Sequence, residues 1–284
     1  MATTRLTAGR LAALLLLLGY GACAPLPKSR EDGRSTCPCK AHDGRGGLPT
    51  PPRLEARTYA DAATGLRLPY RLFVPTGCGA GCGLLLFLHG AGERGSDNQS
   101  QLKNDALALI EASAQARHPT IVVYPQCPEH MQWVDSSWEN PTYSVDATPE
   151  SKPMAAVLSL IDHLRKEYSV DARRILVTGL SMGGFGTWDI VARHPTLFAG
   201  ALPLCGGGDP SKAGSIRDLP LWAFHGDQDP AVPVRASRLM IEALRKAGGN
   251  PRYTEIAGAG HDVWTRAYRD FEVVDWLLSQ RRAP

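Results

Sequence analysis

Ser181, Asp229 and His261 are residue types that together can carry out nucleophilic catalysis, and each stands in a distinctive motif. Ser181 sits in Gly179-Leu180-Ser181-Met182-Gly183, Asp229 follows His225-Gly226-Asp227-Gln228, and His261 lies in Gly258-Ala259-Gly260-His261-Asp262. A serine hydroxyl is a poor nucleophile at neutral pH. It becomes effective beside a base, and the base works when a third group fixes its tautomer. The chemistry to expect is attack on an acyl carbonyl, with Ser181 as nucleophile, His261 as base and Asp229 as the acid that orients it. Gly-x-Ser-x-Gly alone is a weak signal. Here the apolar run Ile175-Leu176-Val177 precedes it and an apolar helical segment follows, which is the context of a nucleophile elbow.

The neighbours of these residues divide by chemistry. Asp229 is preferred over Asp227 as the acid because Pro230 and Val232-Pro233 stiffen its exit, whereas Asp227 reads as a turn residue bonding its own loop. His225 reads as a strand-end histidine satisfied by a neighbouring backbone group. Gly258 and Gly260 let their loop bring the imidazole of His261 over Ser181. An acyl-transfer site also needs backbone N–H donors for the developing oxyanion. Met182 supplies one at the start of a helix. Ala91, in His89-Gly90-Ala91-Gly92-Glu93-Arg94-Gly95, is the expected second donor. His89 is expected to pin that loop, and Glu93 and Arg94 to pair with each other.

Alternating strands and helices must position these groups. Strands are expected over 68–74, 84–88, 120–124, 174–178, 198–204, 219–224 and 252–256. Helices are expected over 102–116, 152–168, 182–193, 234–247 and 264–280. Such alternation implies a mostly parallel central sheet with helices on both faces. No long insertion separates the elbow from the acid, so no large lid domain is expected.

The chain has 284 residues, 43% of them hydrophobic, enough for one large α/β domain plus an extension. A formal net charge of +3, without a Lys/Arg run, argues against nucleic acid as a partner. Residues 1–23 have the charged, apolar, small order of an export signal, with Arg5 and Arg10 before Leu11–Leu18. Two cleavage readings stand. One cuts at Ala22-Cys23-Ala24. The other resembles a bacterial lipoprotein signal, with Cys23 carrying the lipid and attaching the protein to a membrane. Residues 24–53 read as a disordered tether, and 54–284 as the catalytic domain. The expected location is exported: periplasmic, outer-membrane or extracellular. In an oxidising compartment Cys37, Cys39, Cys78, Cys82, Cys127 and Cys205 become candidates for bridges. Cys78 and Cys82 flank a short loop that could close on itself, while Cys127 and Cys205 could equally be small buried residues. The spacing of Cys37, Cys39, Cys78 and Cys82 matches no standard zinc pattern, and neither a metal nor an organic cofactor is expected.

Several motifs together carry a family resemblance. They are Leu88-His89-Gly90-Ala91-Gly92-Glu93-Arg94-Gly95, Pro125-Gln126-Cys127-Pro128 with Trp133, Gly179-Leu180-Ser181-Met182-Gly183-Gly184, Leu204-Cys205-Gly206-Gly207-Gly208-Asp209, and His225-Gly226-Asp227-Gln228-Asp229. From about Leu54 onward the chain resembles secreted bacterial α/β-hydrolases described as predicted peptidases or phospholipase/carboxylesterase-like enzymes. These are related to feruloyl and acetylxylan esterases, polyhydroxyalkanoate depolymerases and dienelactone hydrolases. The resemblance implies an α/β-hydrolase fold and ester hydrolysis by Ser181, Asp229 and His261, with Ala91 and Met182 as oxyanion donors.

The substrate expected is an ester with a short or aromatic acyl group on a bulky or polymeric partner. Trp133 and Trp138, in the polar segment 131–152, and Trp264 beside His261 are the candidate substrate contacts; the tryptophans of that segment read equally as caps on the core. Two other functions fit less well. A serine peptidase of the prolyl-oligopeptidase type usually carries a large N-terminal propeller, and this arm is too short to be one. An exported binding protein with a retained hydrolase fold would be expected to have lost at least one member of the triad.

Overall fold

The computed structural model describes residues 53–283, apart from 77, 79 and 80. The signal, the tether to Pro52, Cys23, Cys37 and Cys39 lie outside the described residues. Eight strands form one sheet in the order β1-β2-β4-β3-β5-β6-β7-β8. They are β1 (Arg53–Ala60), β2 (Arg67–Val74), β3 (Gly83–Leu88), β4 (Thr120–Pro125), β5 (Ile175–Leu180), β6 (Gly200–Leu204), β7 (Trp222–Gly226) and β8 (Arg252–Ile256). β1 and β2 pair antiparallel, as do β2 and β4; from β4 to β8 every pairing is parallel. The helices are α1 (Ala112–Arg117), α2 (Lys152–Glu167), α3 (Met182–Arg193), α4 (Arg235–Lys246), α5 (Trp264–Arg269) and α6 (Phe271–Ser279).

The central strands are buried on both faces, so successive residues feed two separate cores. Leu84, Leu86 and Leu88 of β3 pack with Val157 and Leu160 of α2, Phe185 and Trp188 of α3, and Met240 and Leu244 of α4. Leu85 and Phe87 pack with Tyr124, with Tyr268 of α5 and with Val273 and Leu277 of α6. This explains why β3, β4 and β5 are continuous apolar runs rather than alternating ones. Helix α2 starts where Ser151 accepts the N–H of Met154 at 3.2 Å, with Pro153 in the first turn.

Two expected helices are broken. Residues 102–116 form short 3₁₀ turns at Ser100–Leu102 and Ala106–Ile110 before α1, because Asn104 and Asp105 adopt φ of 59° and 57°. Asp105 is held there by Thr265 at 2.6 Å and by Arg269. Residues 264–280 divide at Asp270, whose carboxylate caps α6 through the N–H of Glu272. β1 is not among the expected strands; it pairs with β2 over its whole length.

Register aligns the strand ends. Leu88 is opposite Gly179, Leu180 opposite Leu204, Leu204 opposite Phe224, and Gly226 opposite Ile256. The loops after β3, β5, β6, β7 and β8 therefore emerge along one carboxyl edge. That edge of a parallel sheet is where ligands bind.

Candidate active site

Ser181 joins β5 to α3 with φ 56° and ψ −119°, a conformation that costs a non-glycine residue free energy. The surroundings enforce it. A Cβ on Gly183 would lie 1.9 Å from the Leu88 carbonyl oxygen, and one on Gly179 would lie 2.4 Å from the Gly183 carbonyl oxygen. Only glycine permits so close a crossing of the elbow with β3. The Ser181 N–H donates to Leu204 at 2.9 Å, so the hydroxyl is presented at the sheet edge. Met182 opens α3, whose first N–H groups have no partner within the helix.

The structure brings Ser181, His261 and Asp229 onto one line. His261 Nε2 is 2.8 Å from Ser181 Oγ, and its Nδ1 is 2.6 Å from Asp229 Oδ2. The Asp229 carboxylate is buried, and its Oδ1 accepts the N–H groups of Ala231 at 2.8 Å and Val232 at 2.9 Å. Burial pushes this carboxyl up, but hydrogen bonds from His225, His261 and the Val232 N–H outweigh burial and hold it far below the usual range. An ionised Asp229 makes Nδ1 of His261 the donor. In the neutral ring Nε2 then has a lone pair facing the serine O–H.

Beneath this line lie residues outside the expected site. Cys205, at φ 47°, directs its Sγ to the His261 carbonyl oxygen at 3.2 Å. His225 is wholly buried, with Nε2 3.0 Å from the Val232 carbonyl oxygen and 3.2 Å from Asp229 Oδ2. The expected backbone partner is therefore joined by the acid itself. Asp227 bonds across to the His261 loop, accepting the Gly258 N–H at 2.7 Å, rather than within its own turn.

Among the described residues, Cys205, His225 and Asp229 bring three metal-capable atoms within 4.8 Å. Their chemistry does not suit a metal. His225 Nε2 needs its hydrogen to face a carbonyl and a carboxylate, and the Cys205 Sγ is turned as a donor to the His261 carbonyl oxygen.

The loop after β3 passes over the serine: a Cβ on Gly90 would lie 3.6 Å from Ser181 Cβ. Ala91 begins a 3₁₀ turn there, Ala91–Glu93. His89 anchors the loop. Its Nε2 accepts the Cys127 N–H at 2.9 Å, which leaves Nδ1 to donate to the Gly90 carbonyl oxygen at 2.6 Å. Burial pushes this ring down to about 4, so it stays neutral. Gln126 adds a second fastening through the Glu93 carbonyl at 3.1 Å and Asp97 at 2.8 Å. Glu93 and Arg94 do not pair. Arg94 donates to the carbonyls of Ala91 at 2.8 Å and Met131 at 3.5 Å, while the buried Glu93 carboxyl accepts from Asn104 and from the Gly90 N–H.

The three tryptophans separate. Trp133 is fully buried, and its Nε1–H donates to the His89 carbonyl at 3.0 Å. It supports the loop from behind and is not available to substrate, because α3 and β3 cover it; a Cβ on Gly186 would come within 2.8 Å of its Cβ. Trp138 is half-buried against the edge of the core. Trp264 is half-buried, with its ring 5.3 Å from that of His261 at 89°. The 131–151 segment is strapped down by Tyr143 O–H to Asp189 at 2.7 Å and by the Val145 N–H to Asp209 at 2.8 Å. Among the described cysteines, Cys78 and Cys82 form a disulfide, and Cys127 and Cys205 are buried and free.

The family model described as Phospholipase/Carboxylesterase matches residues 76–273. The crystal structure of a thermostable esterase is 41% identical, with a TM-score of 0.74 over 81% of this chain and 63% of that one. Poly(3-hydroxyalkanoate) depolymerase C of Paucimonas lemoignei is 32% identical over 143 residues, which are 47% of this chain and 30% of the depolymerase. Acetylxylan esterase A of Aspergillus oryzae is 26% identical over 178 residues, covering 60% of this chain and 52% of the esterase. The chain spans about half or less of the length of these two curated relatives.

Proposed function

This chain belongs to the phospholipase/carboxylesterase family and has the α/β-hydrolase fold, and we propose that it hydrolyses carboxylic esters through an acyl-enzyme on Ser181. The observation that carries the proposal is the unbroken path from Ser181 Oγ through His261 to Asp229, with links of 2.8 and 2.6 Å. Ser181 Oγ attacks the ester carbonyl as its proton passes to His261 Nε2. Asp229 stabilises the imidazolium. The N–H groups of Ala91 and Met182 receive the negative oxygen of the tetrahedral intermediate; one such donor is commonly worth about a hundredfold or more in rate. His261 then returns the proton to the departing alcohol. Water repeats the sequence and releases the acid, so one ester and one water give one acid and one alcohol.

The substrate in this reading is a short-acyl or aromatic-acyl ester on a bulky or polymeric partner. Its support is the absence of a long insertion between Ser181 and Asp229, the aromatic face of Trp264 beside His261, and relatives named for poly(3-hydroxyalkanoate) and acetylxylan. Export belongs to the same proposal, with membrane attachment where Cys23 is lipidated. It is supported by the charged-apolar-small order of residues 1–23 and by the Cys78–Cys82 bridge.

Turnover of p-nitrophenyl acetate, p-nitrophenyl ferulate and a matched peptide anilide tests the reading, with Ser181→Ala as control. Ester turnover lost in the variant is the expected result. Preference for the anilide, or failure of a fluorophosphonate to label Ser181, overturns it.

A further inference from the structure

We propose that His225 is a positioning residue for this reaction: a second histidine on Asp229 that, with Ser237, sets how strongly the acid holds His261. The inference rests on the reading of Ser181, His261 and Asp229 given above. His225 touches neither Ser181 nor the space above it, and acts through the acid.

The hydrogen-bond chain behind the acid is fully buried. His225 lies at the end of β7 and Ser237 in α4, and neither is exposed. His225 Nε2 faces two groups that only accept, the Val232 carbonyl at 3.0 Å and Asp229 Oδ2 at 3.2 Å, so it must carry a hydrogen. On the other side Nδ1 is 2.8 Å from Ser237 Oγ, which is itself 3.0 Å from the Gly206 carbonyl oxygen. Ser237 has one proton for these two acceptors. Directed at Nδ1, it leaves the ring neutral. Directed at Gly206, it requires a hydrogen on Nδ1 as well, and the ring becomes a cation beside Asp229.

Both arrangements bear on catalysis through one atom. Asp229 Oδ2 receives His261 at 2.6 Å and His225 at 3.2 Å, so the two rings share its negative charge. Take the His225 N–H away and the whole charge of that oxygen faces His261. The pull on the Nδ1 hydrogen of His261 then strengthens, and the balance between the two rings on this oxygen is lost. The buried oxygen also loses a donor, which leaves the carboxylate freer to turn. The other titratable groups facing His225 are the Cys205 thiol and, from β8, the carboxylate of Glu255, which Arg238 already holds at 2.5 and 2.8 Å. Neither replaces the His225 hydrogen on Asp229.

Full-length wild-type protein, His225→Leu, His225→Gln and Ser237→Ala are compared by kcat and KM for p-nitrophenyl acetate across pH. The low-field proton resonance of the His261–Asp229 bond is titrated in parallel. His225→Leu is expected to lose about tenfold in kcat with KM near wild type, the size of one hydrogen bond to a charged group. Its acid limb and the resonance midpoint should both move to higher pH. His225→Gln, which retains an N–H, should recover most of the rate and move the limb back. Ser237→Ala should shift both in the same direction by less, and it stands in if His225→Leu fails to fold. Limb and midpoint unmoved in all folded variants, with rate falling only as the folded fraction falls, overturn the inference. An inactive wild type overturns the ester reading instead, and the resonance still decides the role of His225.

Discussion

The carboxylate of Asp227 accepts the backbone N–H of Gly258 at 2.7 Å, tying the loop that carries Asp229 to the loop that carries His261. Two backbone bonds run alongside it, from the Asp227 N–H to Ile256 at 3.2 Å and from the Gln228 N–H to Ala259 at 3.0 Å. Asp229 and His261 are thus held relative to one another before any substrate arrives. Removing the side-chain link in Asp227→Ala should cost about 1 kcal/mol of stability, since the bond is at the surface. The loss in kcat should be larger in proportion, about tenfold, because small displacements of a catalytic pair are expensive in rate. Asp227→Asn keeps an acceptor and should restore most of the activity. Steady-state kinetics and thermal unfolding of the two variants check this.

Trp133 supports the loop after β3 through its bond to the His89 carbonyl and is wholly buried. Trp133→Phe keeps most of the apolar volume and removes the Nε1–H donor. A buried acceptor left unsatisfied costs about 1–3 kcal/mol. The expected result is a lower Tm and a lower kcat, with KM for a small ester unchanged. A raised KM with normal stability would instead mark Trp133 as a substrate contact.

The order of strands and helices was legible because each central strand is buried on both faces and reads as an unbroken apolar run. Likewise the close crossing of β5, α3 and β3 demands glycine at 179 and 183, so the elbow leaves a mark in the sequence. Other features are tertiary and leave none. β1 is a mixed polar segment that becomes a strand only by pairing with β2. The helix expected over 102–116 is interrupted because Asp105 is held by Thr265 and Arg269, remote in the chain. Trp133 stands in a mostly polar segment, with only Val134 apolar beside it, so the sequence leaves core cap and substrate contact equally open. Nothing local in His225 discloses that Ser237, Gly206 and Asp229 converge on it.

Gly183→Ala tests the close approach at the elbow. The added methyl would stand 1.9 Å from the Leu88 carbonyl oxygen, a backbone atom that cannot swing aside. Either β3 or the start of α3 must move, and both sit in the core. The expected outcome is a loss of more than about 4 kcal/mol, in the range reserved for severe steric conflict, so that little soluble enzyme is recovered. Gly92→Ala is the control, because a Cβ there meets nothing within 4 Å. Soluble yield and circular dichroism of the pair give the answer.

His89 gives stability a dependence on pH that can be isolated. Burial pushes its ring down to about 4 from an ordinary 6.5, while Nε2 accepts the Cys127 N–H. Between those two values the unfolded chain binds a proton that the folded protein excludes, so stability falls as pH falls. The contribution is complete above about 6.5 and is lost by about pH 4, amounting to about 3 kcal/mol across the window. Protonation would also put a hydrogen on Nε2 against the Cys127 N–H and release the loop that passes over Ser181. In His89→Gln the amide oxygen can still accept from Cys127, but the group no longer titrates. The variant should therefore show a flatter dependence of Tm on pH between 4 and 6.5, with the wild-type and variant curves converging at the acid end. Parallel curves would place the acid sensitivity on other groups and leave His89 with a purely geometric role.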